Sequence, residues 1–281
     1  MADILEIDDY DLKDAVEVVA QFGKDRYGFI VTPNVDHVIR HYFDPGFRRL
    51  YAEAAYILLD SRFLAHTIGL LKRQIFRTCT GSDLTAAVFT SVLKPDDAAV
   101  LVGGSVEQAQ QLRARFGLTA LRHVEPPMNF IADAAAVEAC LRGIEAAAPF
   151  RFCFLAVGSP QQEMIAQKLK DRGKARGLAM CIGGSINFLT GIEKRAPEWL
   201  QRAGFEWFYR LLQNPRRMAR RFLVRDPLIF LLLWRIEFRL RRPVPGVAGV
   251  KELTAAPEPL NPAGTAIAGS PGQSLQPPGG P

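Results

Sequence analysis

Short apolar segments that end abruptly at polar or glycine residues recur through the first 190 residues, and helical segments of about a dozen residues separate them. This alternation indicates βαβ units, and it predicts an α/β fold with a Rossmann-like, mostly parallel sheet that carries helices on both faces. The predicted strands are Tyr27–Val31, Ala55–Leu59, Ala98–Val102, Leu118–Val124, Phe150–Val157 and Leu178–Ile182. With 281 residues, 48% of them hydrophobic, the chain can build one sizeable core or a core with an appendage.

The pattern changes after residue 195. Pro197–Arg225 carries aromatic and arginine residues at helical spacing, and Pro227–Leu240 is more apolar still. From Pro243 the chain is rich in Pro, Gly, Ala and Ser and shows no hydrophobic periodicity, which is typical of disorder. The sequence therefore predicts an α/β core over 1–195, an arginine-rich helical appendage over 196–242 and a disordered tail over 243–281.

The charge is unevenly distributed. The net charge is +6, and the basic excess lies after Lys194, where arginines dominate. This asymmetry indicates an anionic partner for the C-terminal part: phosphate groups, a membrane surface or nucleic acid.

The cysteines and the N-terminus argue against export. Four scattered cysteines form no C-x-x-C pair, so the sequence predicts buried free thiols in a reducing compartment, with no zinc site or disulfide framework. The acidic start M-A-D-I-L-E-I-D-D lacks the basic and apolar regions of a signal peptide.

Polar side chains follow the first two strands at the point where each strand ends. Thr32 and Asn34 follow Tyr27–Val31, and Asp60 follows Ala55–Leu59. Ligands of open α/β sheets bind outside the carboxyl ends of the strands, so a hydroxyl, an amide and a carboxylate are expected at one rim. Asn34 and Asp60 could equally be N-caps of the helices that follow, and both interpretations stay open at this point.

Three other strands end in glycine-containing turns, at Gly103-Gly104, Gly158-Ser159 and Gly183-Gly184. Such turns let backbone N–H groups approach phosphates. No G-x-G-x-x-G or G-x-x-x-x-G-K-[ST] motif is present, so the common dinucleotide and P-loop sites are unsupported. His37 and His41 are four residues apart on a predicted helix, but no third ligand accompanies them, so no metal site is predicted.

Seven motifs occur in a fixed order along most of the chain. They are T-P-N (32–34), the strand-terminal Asp60, T-G-S-D-L (80–84), G-S-P-Q-Q-E (158–163), G-G-S-I-N-F-L-T-G (183–191), K-R-A-P-E-W (194–199) and G-F-E-W-F-Y-R-L-L-Q-N-P-R-R-M-A-R-R (204–221). From about Tyr27 to Leu223 this arrangement closely resembles the WecG/TagA/CpsF family of bacterial glycosyltransferases.

The resemblance implies an inverting, metal-independent transfer without a cofactor. The donor would be a UDP-sugar, with a sugar of the N-acetylmannosamine, N-acetylmannosamine uronic acid or glucose type. The acceptor would be a polyprenyl-diphosphate-linked saccharide used in cell-surface polysaccharide synthesis. The implied location is cytoplasmic, peripheral on the inner face of the cell membrane.

The resemblance also assigns roles to residues. The family's catalytic base falls on Asp60. Its substrate-binding residues fall on Thr32, Asn34, Gln162, Arg210, Arg217 and Arg220. Two positions depart from the family pattern: Ser61 follows Asp60 where the family usually has glycine, and Thr78 stands where it usually has arginine, with Arg77 one residue earlier.

Two other classes of protein fit the sequence less well. A Rossmann-type oxidoreductase lacks support because the glycine fingerprint is absent. A basic nucleic-acid-binding protein would interleave its arginines with polar groups, whereas here they alternate with Leu, Phe and Trp, so no nucleic acid partner is predicted.

The apolar segment Pro227–Trp234 is about half as long as the ~20 residues that a membrane-spanning helix needs. Charged residues flank it on both sides, with Arg225 before it and Arg235 after it. This combination predicts a segment that lies in the membrane interface. A short buried helix and an interface of a homo-oligomer remain the alternatives.

Overall fold

The computed structural model describes residues 3–241, apart from the side chains of Asp3 and Arg217. The predicted disordered tail over 243–281 and the last residue of the predicted appendage, Arg242, lie outside the described residues. The strands are β1 (Asp3–Asp8), β2 (Tyr27–Val31), β3 (Tyr56–Ile57), β4 (Ala99–Val102), β5 (Leu121–Val124), β6 (Phe152–Leu155), β7 (Gly177–Cys181) and β8 (Ile236–Arg241).

Helices fill most of the sequence between the strands. The α-helices are α1 (Leu12–Gln21), α2 (Val35–Phe43), α3 (Pro45–Ala52), α4 (Arg62–Lys72), α5 (Gly81–Ala87), α6 (Val106–Phe116), α7 (Ala134–Glu145), α8 (Gln161–Arg172), α9 (Ser185–Leu189), α10 (Glu198–Arg202), α11 (Glu206–Gln213), α12 (Pro215–Ala219) and α13 (Ile229–Leu232). Short π-helical segments occupy Val88–Val92 and Arg220–Arg225, and 3-10 turns occupy Phe130–Ala132 and Asp226–Leu228.

Six strands form one parallel sheet in the order β3-β2-β7-β6-β4-β5. Successive residues of β2 enter opposite cores: Phe29 and Val31 pack in one apolar cluster, and Ile30 packs in the other. Helices α2, α3, α4, α7 and α8 contribute buried residues to the first cluster, and α1, α5, α6 and α9 contribute to the second. The predicted α/β fold with helices on both faces of a parallel sheet is therefore confirmed.

Local capping signals set several helix starts. Ser105 and Gln108 form the capping box of α6, in which each side chain accepts from the backbone N–H of the other residue. The T-G-S-D motif predicts an N-cap at Ser82 or Asp83, and this was wrong. Thr80 is the N-cap of α5, because its hydroxyl accepts from the Asp83 N–H at 3.1 Å.

A second, two-stranded parallel sheet joins β1 to β8 and was not predicted. The Asp8 carboxylate accepts two hydrogen bonds from Arg241, at 2.9 and 2.7 Å, and a third from the Ile57 N–H of β3 at 2.7 Å. The segment predicted to be helical up to residue 242 thus ends in a strand. It adds buried residues to the first apolar cluster, namely Ile229, Leu232, Leu233, Ile236 and Phe238.

The four cysteines are free and buried, which confirms that part of the prediction from composition; they are Cys79, Cys140, Cys153 and Cys181. Within residues 3–241, no helix is both long enough and apolar enough to span a bilayer.

Candidate active site

A cavity of about 420 Å³ lies where the carboxyl ends of β2 and β3 meet the starts of α4 and α5 and the C-terminal segment. The core contributes Asn34, Val35, Asp60, Ser61, Arg62, Phe63, Thr80 and Ser82 to its lining. The C-terminal segment contributes Gln201, Gly204, Glu206, Trp207, Arg210, Arg221, Phe222, Leu223, Asp226, Pro227, Ile229 and Phe230.

Hydrogen bonds with the backbone hold Asp60 at both its N–H and its carboxylate. Its N–H donates to the Pro33 carbonyl at 2.9 Å, and its Oδ1 accepts from the Gly81 N–H at 2.6 Å. Asp60 does not cap its own helix, because the Ser61 hydroxyl accepts from the Leu64 N–H at the start of α4. Its carboxylate therefore faces the first turn of a different helix, α5.

The close approach at Gly81 also positions Thr32. A Cβ at position 81 would lie 2.9 Å from the Thr32 hydroxyl oxygen, so only glycine fits without a shift. Thr32 thus lies beside the hydrogen bond between Asp60 and Gly81, although it is not among the residues that line the cavity.

The electrostatic environment of Asp60 favours its protonated form. Burial raises its pKa to about 7, and the negative charges of Glu206 and Asp83 act in the same direction. The Gly81 N–H and the Arg210 guanidinium oppose the shift but do not cancel it. A carboxyl group with a pKa near neutrality can gain and lose a proton under physiological conditions.

Asn34 caps a helix and also lines the cavity. Its Oδ1 is the N-cap of α2 and accepts from the His37 N–H at 3.4 Å. The same oxygen accepts from Arg221 Nη2 at 2.9 Å, across 187 residues of sequence. This contact joins the end of β2 to the C-terminal segment at the wall of the cavity.

A charged network supports the cavity beside Asp60. Asp83 pairs with Arg62 at 3.1 Å and with Arg195, and Arg195 also faces Glu206 at 3.8 Å. Burial alone would raise the pKa of Asp83, but the Arg195 and Arg62 guanidinium groups outweigh it and hold that pKa below its ordinary value. Asp83 therefore stays ionised while Asp60, close by, titrates near neutrality.

The arginines of the C-terminal segment differ in position. Arg210 lines the cavity, with its guanidinium 5.2 Å from the centre of the Phe188 ring. Arg220 is exposed and does not line the cavity, whereas its neighbour Arg221 does. The side chain of Arg217 is outside the described residues.

Comparison with protein families bears on this geometry. A family model described as "Glycosyl transferase WecG/TagA/CpsF family" matches residues 3–243, which is most of the chain and includes the whole described part. The chain belongs to the WecG/TagA/CpsF family of glycosyl transferases. Membership of this family indicates a glycosyltransferase of cell-surface polysaccharide synthesis.

In this WecG/TagA/CpsF protein, Gln162 lies away from the lining of the cavity. It is 3% exposed, its Oε1 accepts from the Gly183 N–H at 2.8 Å, and its Nε2 donates to Glu163 at 2.9 Å. It therefore links the start of α8 to the turn that follows β7.

Arg77 does not take the place of the arginine that the family usually has at position 78. It lies against the N-terminal acidic residues, 3.4 Å from Asp9 and 3.6 Å from Asp11, and also pairs with Asp14. The guanidinium groups near the T-G-S-D turn come instead from Arg62 and Arg195.

The two histidines considered as metal ligands belong to the apolar core. Both rings pack against Tyr51, whose hydroxyl is 2.9 Å from His37 Nδ1. Burial lowers the pKa of His37 to about 3 and that of His41 to about 4. In the described part of the chain, no group of three or more His, Cys, Asp or Glu side chains is arranged to hold a metal ion.

Most residues that line the cavity were not singled out from the sequence; they include Glu206, Trp207 and Arg221. All three lie within the motif at 204–221, so the motif itself was the available signal. The motif did not show which side of each helix would face the core.

Proposed function

We propose that this glycosyl transferase moves a sugar from a UDP-sugar to a polyprenyl-diphosphate-linked saccharide, with inversion at the anomeric carbon. Family membership supports the transfer. The observation that carries the mechanism is the position of Asp60 in the wall of the cavity, with a pKa of about 7 and one oxygen already held by Gly81.

In the proposed step, Asp60 accepts the proton of the acceptor hydroxyl group. The hydroxyl oxygen forms a bond to the anomeric carbon of the donor while the bond from that carbon to the diphosphate oxygen breaks. UDP leaves with the bonding electrons, and a single displacement of this kind inverts the anomeric configuration. The Gly81 N–H fixes Oδ1, so Oδ2 is the oxygen that would take the proton.

Negative charge develops on the leaving diphosphate, and the proposal gives its stabilisation to guanidinium groups and backbone N–H dipoles. Arg210 and Asn34 line the same cavity as Asp60, which supports their predicted substrate-binding roles. Thr32, beside Gly81, remains a proposed contact, whereas the burial of Gln162 away from this lining gives no support for a contact in the cavity. Arg217 remains a proposed contact, whereas the exposure of Arg220 gives no support for a contact in the cavity.

The C-terminal segment supports the proposal that the enzyme works at the inner face of the membrane. Phe230, Leu231 and Trp234 are 52%, 70% and 71% exposed, close in sequence to the exposed Arg235. Exposed large apolar side chains next to arginines suit a lipid surface with anionic headgroups.

An assay of sugar transfer tests the proposal. The purified full-length protein is incubated with UDP-N-acetylmannosamine, its uronic acid and UDP-glucose, each with and without a polyprenyl-diphosphate-linked acceptor. We expect UDP release with one of these donors that depends on the acceptor and persists in EDTA. Activity that EDTA abolishes would contradict the metal-independent mechanism, and no acceptor-dependent release from any donor would contradict the proposed reaction.

A further inference from the structure

Arg62 is a cationic residue of the cavity that has no role in the mechanism proposed above. It is the first residue of α4, directly after the N-cap Ser61, and its side chain is 29% exposed. The guanidinium groups of Arg210 and Arg221, which also line the cavity, come from the C-terminal segment, whereas that of Arg62 comes from the core. The core therefore brings a positive charge of its own to the lining of the cavity.

Arg62 and the proposed base Asp60 contact the same turn of the protein. Asp60 Oδ1 accepts from the Gly81 N–H at 2.6 Å, and Arg62 Nη2 donates to Asp83 Oδ2 at 3.1 Å. Gly81 and Asp83 both belong to the first turn of α5. Since Cα atoms two residues apart are at most about 7 Å from each other, the carboxylate of Asp60 and the guanidinium of Arg62 lie at one end of the cavity.

The ion pair with Asp83 does not by itself account for Arg62. Asp83 Oδ1 pairs with Arg195, and Asp83 Oδ2 also accepts from the Thr80 hydroxyl at 2.7 Å. Each oxygen of Asp83 therefore keeps a hydrogen bond without Arg62. Among the described residues, Arg62 donates one hydrogen bond, from Nη2, so the other N–H groups of its planar fork are available to a ligand in the cavity.

Position 78, where this chain has threonine instead of the family's usual arginine, lies close to the same end of the cavity. The N–H of the next residue, Cys79, donates to the Leu59 carbonyl at 3.0 Å, so the two segments run side by side. Cys79 is buried in the second apolar cluster, whereas Thr80 lines the cavity. Side chains alternate sides along an extended chain, so an arginine at position 78 would lie on the side of Thr80. A guanidinium group at position 62 can therefore replace one at position 78.

The position of the base limits where the leaving group can lie. In the proposed step, the acceptor hydroxyl oxygen is about 3 Å from the carboxylate of Asp60 and about 3–3.5 Å from the anomeric carbon. The donor diphosphate is bonded to that carbon, so its first oxygen atom lies within about 8 Å of Asp60. The diphosphate of the acceptor is separated from the reacting hydroxyl group by a sugar ring. A cation at the same end of the cavity as Asp60 is therefore closer to the donor diphosphate.

We infer that Arg62 binds the diphosphate of the donor and stabilises the negative charge that develops on it as UDP leaves, in place of an arginine at position 78. The planar guanidinium group offers paired N–H donors that match two phosphate oxygens. The bond from the anomeric carbon to the diphosphate oxygen breaks, its electron pair stays on the diphosphate, and Arg62 transfers no proton. This inference rests on the proposed function, since Arg62 acts there on one of the two substrates.

Binding of two probes to the full-length protein, measured by isothermal titration, tests the inference. UDP represents the donor, and farnesyl diphosphate represents the diphosphate of the acceptor. Arg62→Ala should raise the Kd for UDP by about tenfold to a hundredfold, because a charged hydrogen-bond donor is lost. The Kd for farnesyl diphosphate should change by less than about threefold. In the sugar-transfer assay, kcat should fall by roughly 10²–10³, because the contact strengthens as charge develops.

Lys72→Ala is the matched control, because it removes the same charge from the other end of α4, about 15 Å away, and Lys72 does not line the cavity. It should leave the Kd for both probes unchanged. Arg62→Ala should lower the melting temperature by no more than about 4 °C, since a partly exposed ion pair contributes little to stability. Arg62→Lys keeps the charge without the planar fork, should recover part of the UDP binding, and is used if the alanine variant fails to fold.

A second arginine tests the exchange of positions. Arg62→Ala combined with Thr78→Arg should bring the Kd for UDP back to within about threefold of the wild-type value, because the guanidinium group then reaches the diphosphate from the neighbouring segment. Failure of Thr78→Arg to restore any binding would overturn the inference that the two positions are equivalent.

The outcomes separate this inference from the proposed function. Wild-type affinity of Arg62→Ala for UDP would overturn the inference, and so would absence of UDP binding by the wild type. Weaker binding of farnesyl diphosphate with unchanged binding of UDP would also overturn it, because Arg62 would then serve the acceptor. Failure of the sugar-transfer assay, with UDP binding lost in Arg62→Ala, would instead refute the proposed function and leave the contact between Arg62 and the nucleotide diphosphate in place.

Discussion

At the scale of single residues, Asp60 combines two opposing demands. A general base must be ionised to act, whereas burial beside Glu206 and Asp83 favours the protonated form. The balance puts the pKa of Asp60 at about 7, close to the value at which a base is both ionised and able to accept a proton. The burial that makes ionised Asp60 unfavourable in the folded protein is thus also what brings its pKa near neutrality, as the proposed role of a base requires.

A first prediction follows for stability. The pKa of Asp60 is about 7 in the folded state and 3.8 ordinarily, so the folded state binds the proton more tightly. The stabilisation from that proton is complete below pH 3.8 and is lost as pH rises through 7. Between pH 5 and pH 8 the wild type should therefore lose about 1–3 kcal/mol relative to Asp60→Asn, which has no such proton. Urea unfolding of both proteins at the two pH values measures this, and an equal difference at both would refute the raised pKa.

A second prediction separates Asn34 from Gln162. Asn34→Ala loses an N-cap worth about 1 kcal/mol and the contact with Arg221, so turnover should fall more than stability. Asn34→Ser keeps a capping oxygen and should recover the stability but not the turnover. Gln162→Ala removes the shorter of the two hydrogen bonds of the Gly183 N–H, leaving the one to the Leu155 carbonyl at 3.3 Å, and should cost about 1 kcal/mol. Activity and thermal melting of the three variants test this, and losses of activity in proportion to stability would show that Asn34 acts only as a cap.

The sequence predicted some site residues better than others, for physical reasons. Asp60 and Asn34 follow buried strands, and parallel strands bring their carboxyl ends to one edge, so local patterns were enough to place them. Arg220 and Arg221 are adjacent on a helical segment and point in different directions, and only Arg221 lines the cavity. That segment changes from α-helical to π-helical at Arg220, a change of register that periodicity alone does not reveal.

At the scale of elements, the pairing of β1 with β8 fixes the C-terminal segment to the core. Arg241 bonds to Asp8, and Asp8 in turn accepts from Ile57 of β3, three residues before Asp60. The cavity wall formed by residues 201–230 is therefore followed in sequence by a strand that is anchored next to β3, the strand that leads to Asp60.

A third prediction concerns this anchor. Arg241→Ala removes two charged hydrogen bonds from the buried Asp8 and should lower the free energy of unfolding by about 1.5–3 kcal/mol. Arg239→Ala is the control, since Arg239 lies on the same strand but pairs with Glu237 at the surface. Urea unfolding should show a change within about 0.5 kcal/mol for the control. Equal effects of the two variants would mean that the bonds to Asp8 do not stabilise the fold.

The apolar segment Pro227–Trp234, which contains α13, has one buried side and one exposed side. Ile229, Leu232 and Leu233 are buried in the core, whereas Leu231 and Trp234 are 70% and 71% exposed. The predicted interfacial segment and the alternative of a buried helix thus describe opposite sides of the same short element. The exposed side is available to a membrane.

A fourth prediction tests that side. Leu231→Gln combined with Trp234→Gln should reduce binding to vesicles that contain anionic lipid by at least about tenfold, because two large apolar groups no longer enter the bilayer. Met128→Gln is the matched control, since Met128 is 94% exposed and lies far from this segment in sequence. Vesicle sedimentation measures the effect. Unchanged binding of the double variant would contradict the proposed membrane contact.

The elements themselves were predicted unevenly. Strand β2 has the predicted bounds because its apolar run ends at a clear stop signal, Pro33. Strand β8 reads I-E-F-R-L-R, an alternation of apolar and charged residues that is typical of a half-buried strand. It was missed because it follows an apolar helical segment, and its partner β1 lies more than 200 residues away, beyond the reach of any local pattern.

At the scale of the whole molecule, the basic excess after Lys194 is partly neutralised by ion pairs within the protein. Arg195, Arg225 and Arg241 pair with Asp83, Asp36 and Asp8, which all belong to the core. These C-terminal charges therefore hold the segment against the core. The predicted boundary at residue 195 marks a change in sequence pattern, yet β8 and the buried residues of α13 pack with the core.

The central claim is that Asp60 is the base of a glycosyl transfer at this cavity, and a pH–rate profile tests it most directly. Transfer from the active UDP-sugar to the lipid-linked acceptor is measured between pH 5 and 9 for the wild type and for Asp60→Asn. The account predicts that wild-type kcat/KM falls as pH drops through about 7, and that Asp60→Asn reduces turnover by roughly 10²–10⁴ while the protein stays folded. Near-wild-type turnover of Asp60→Asn at saturating substrates, with the same loss of rate below pH 7, would contradict it.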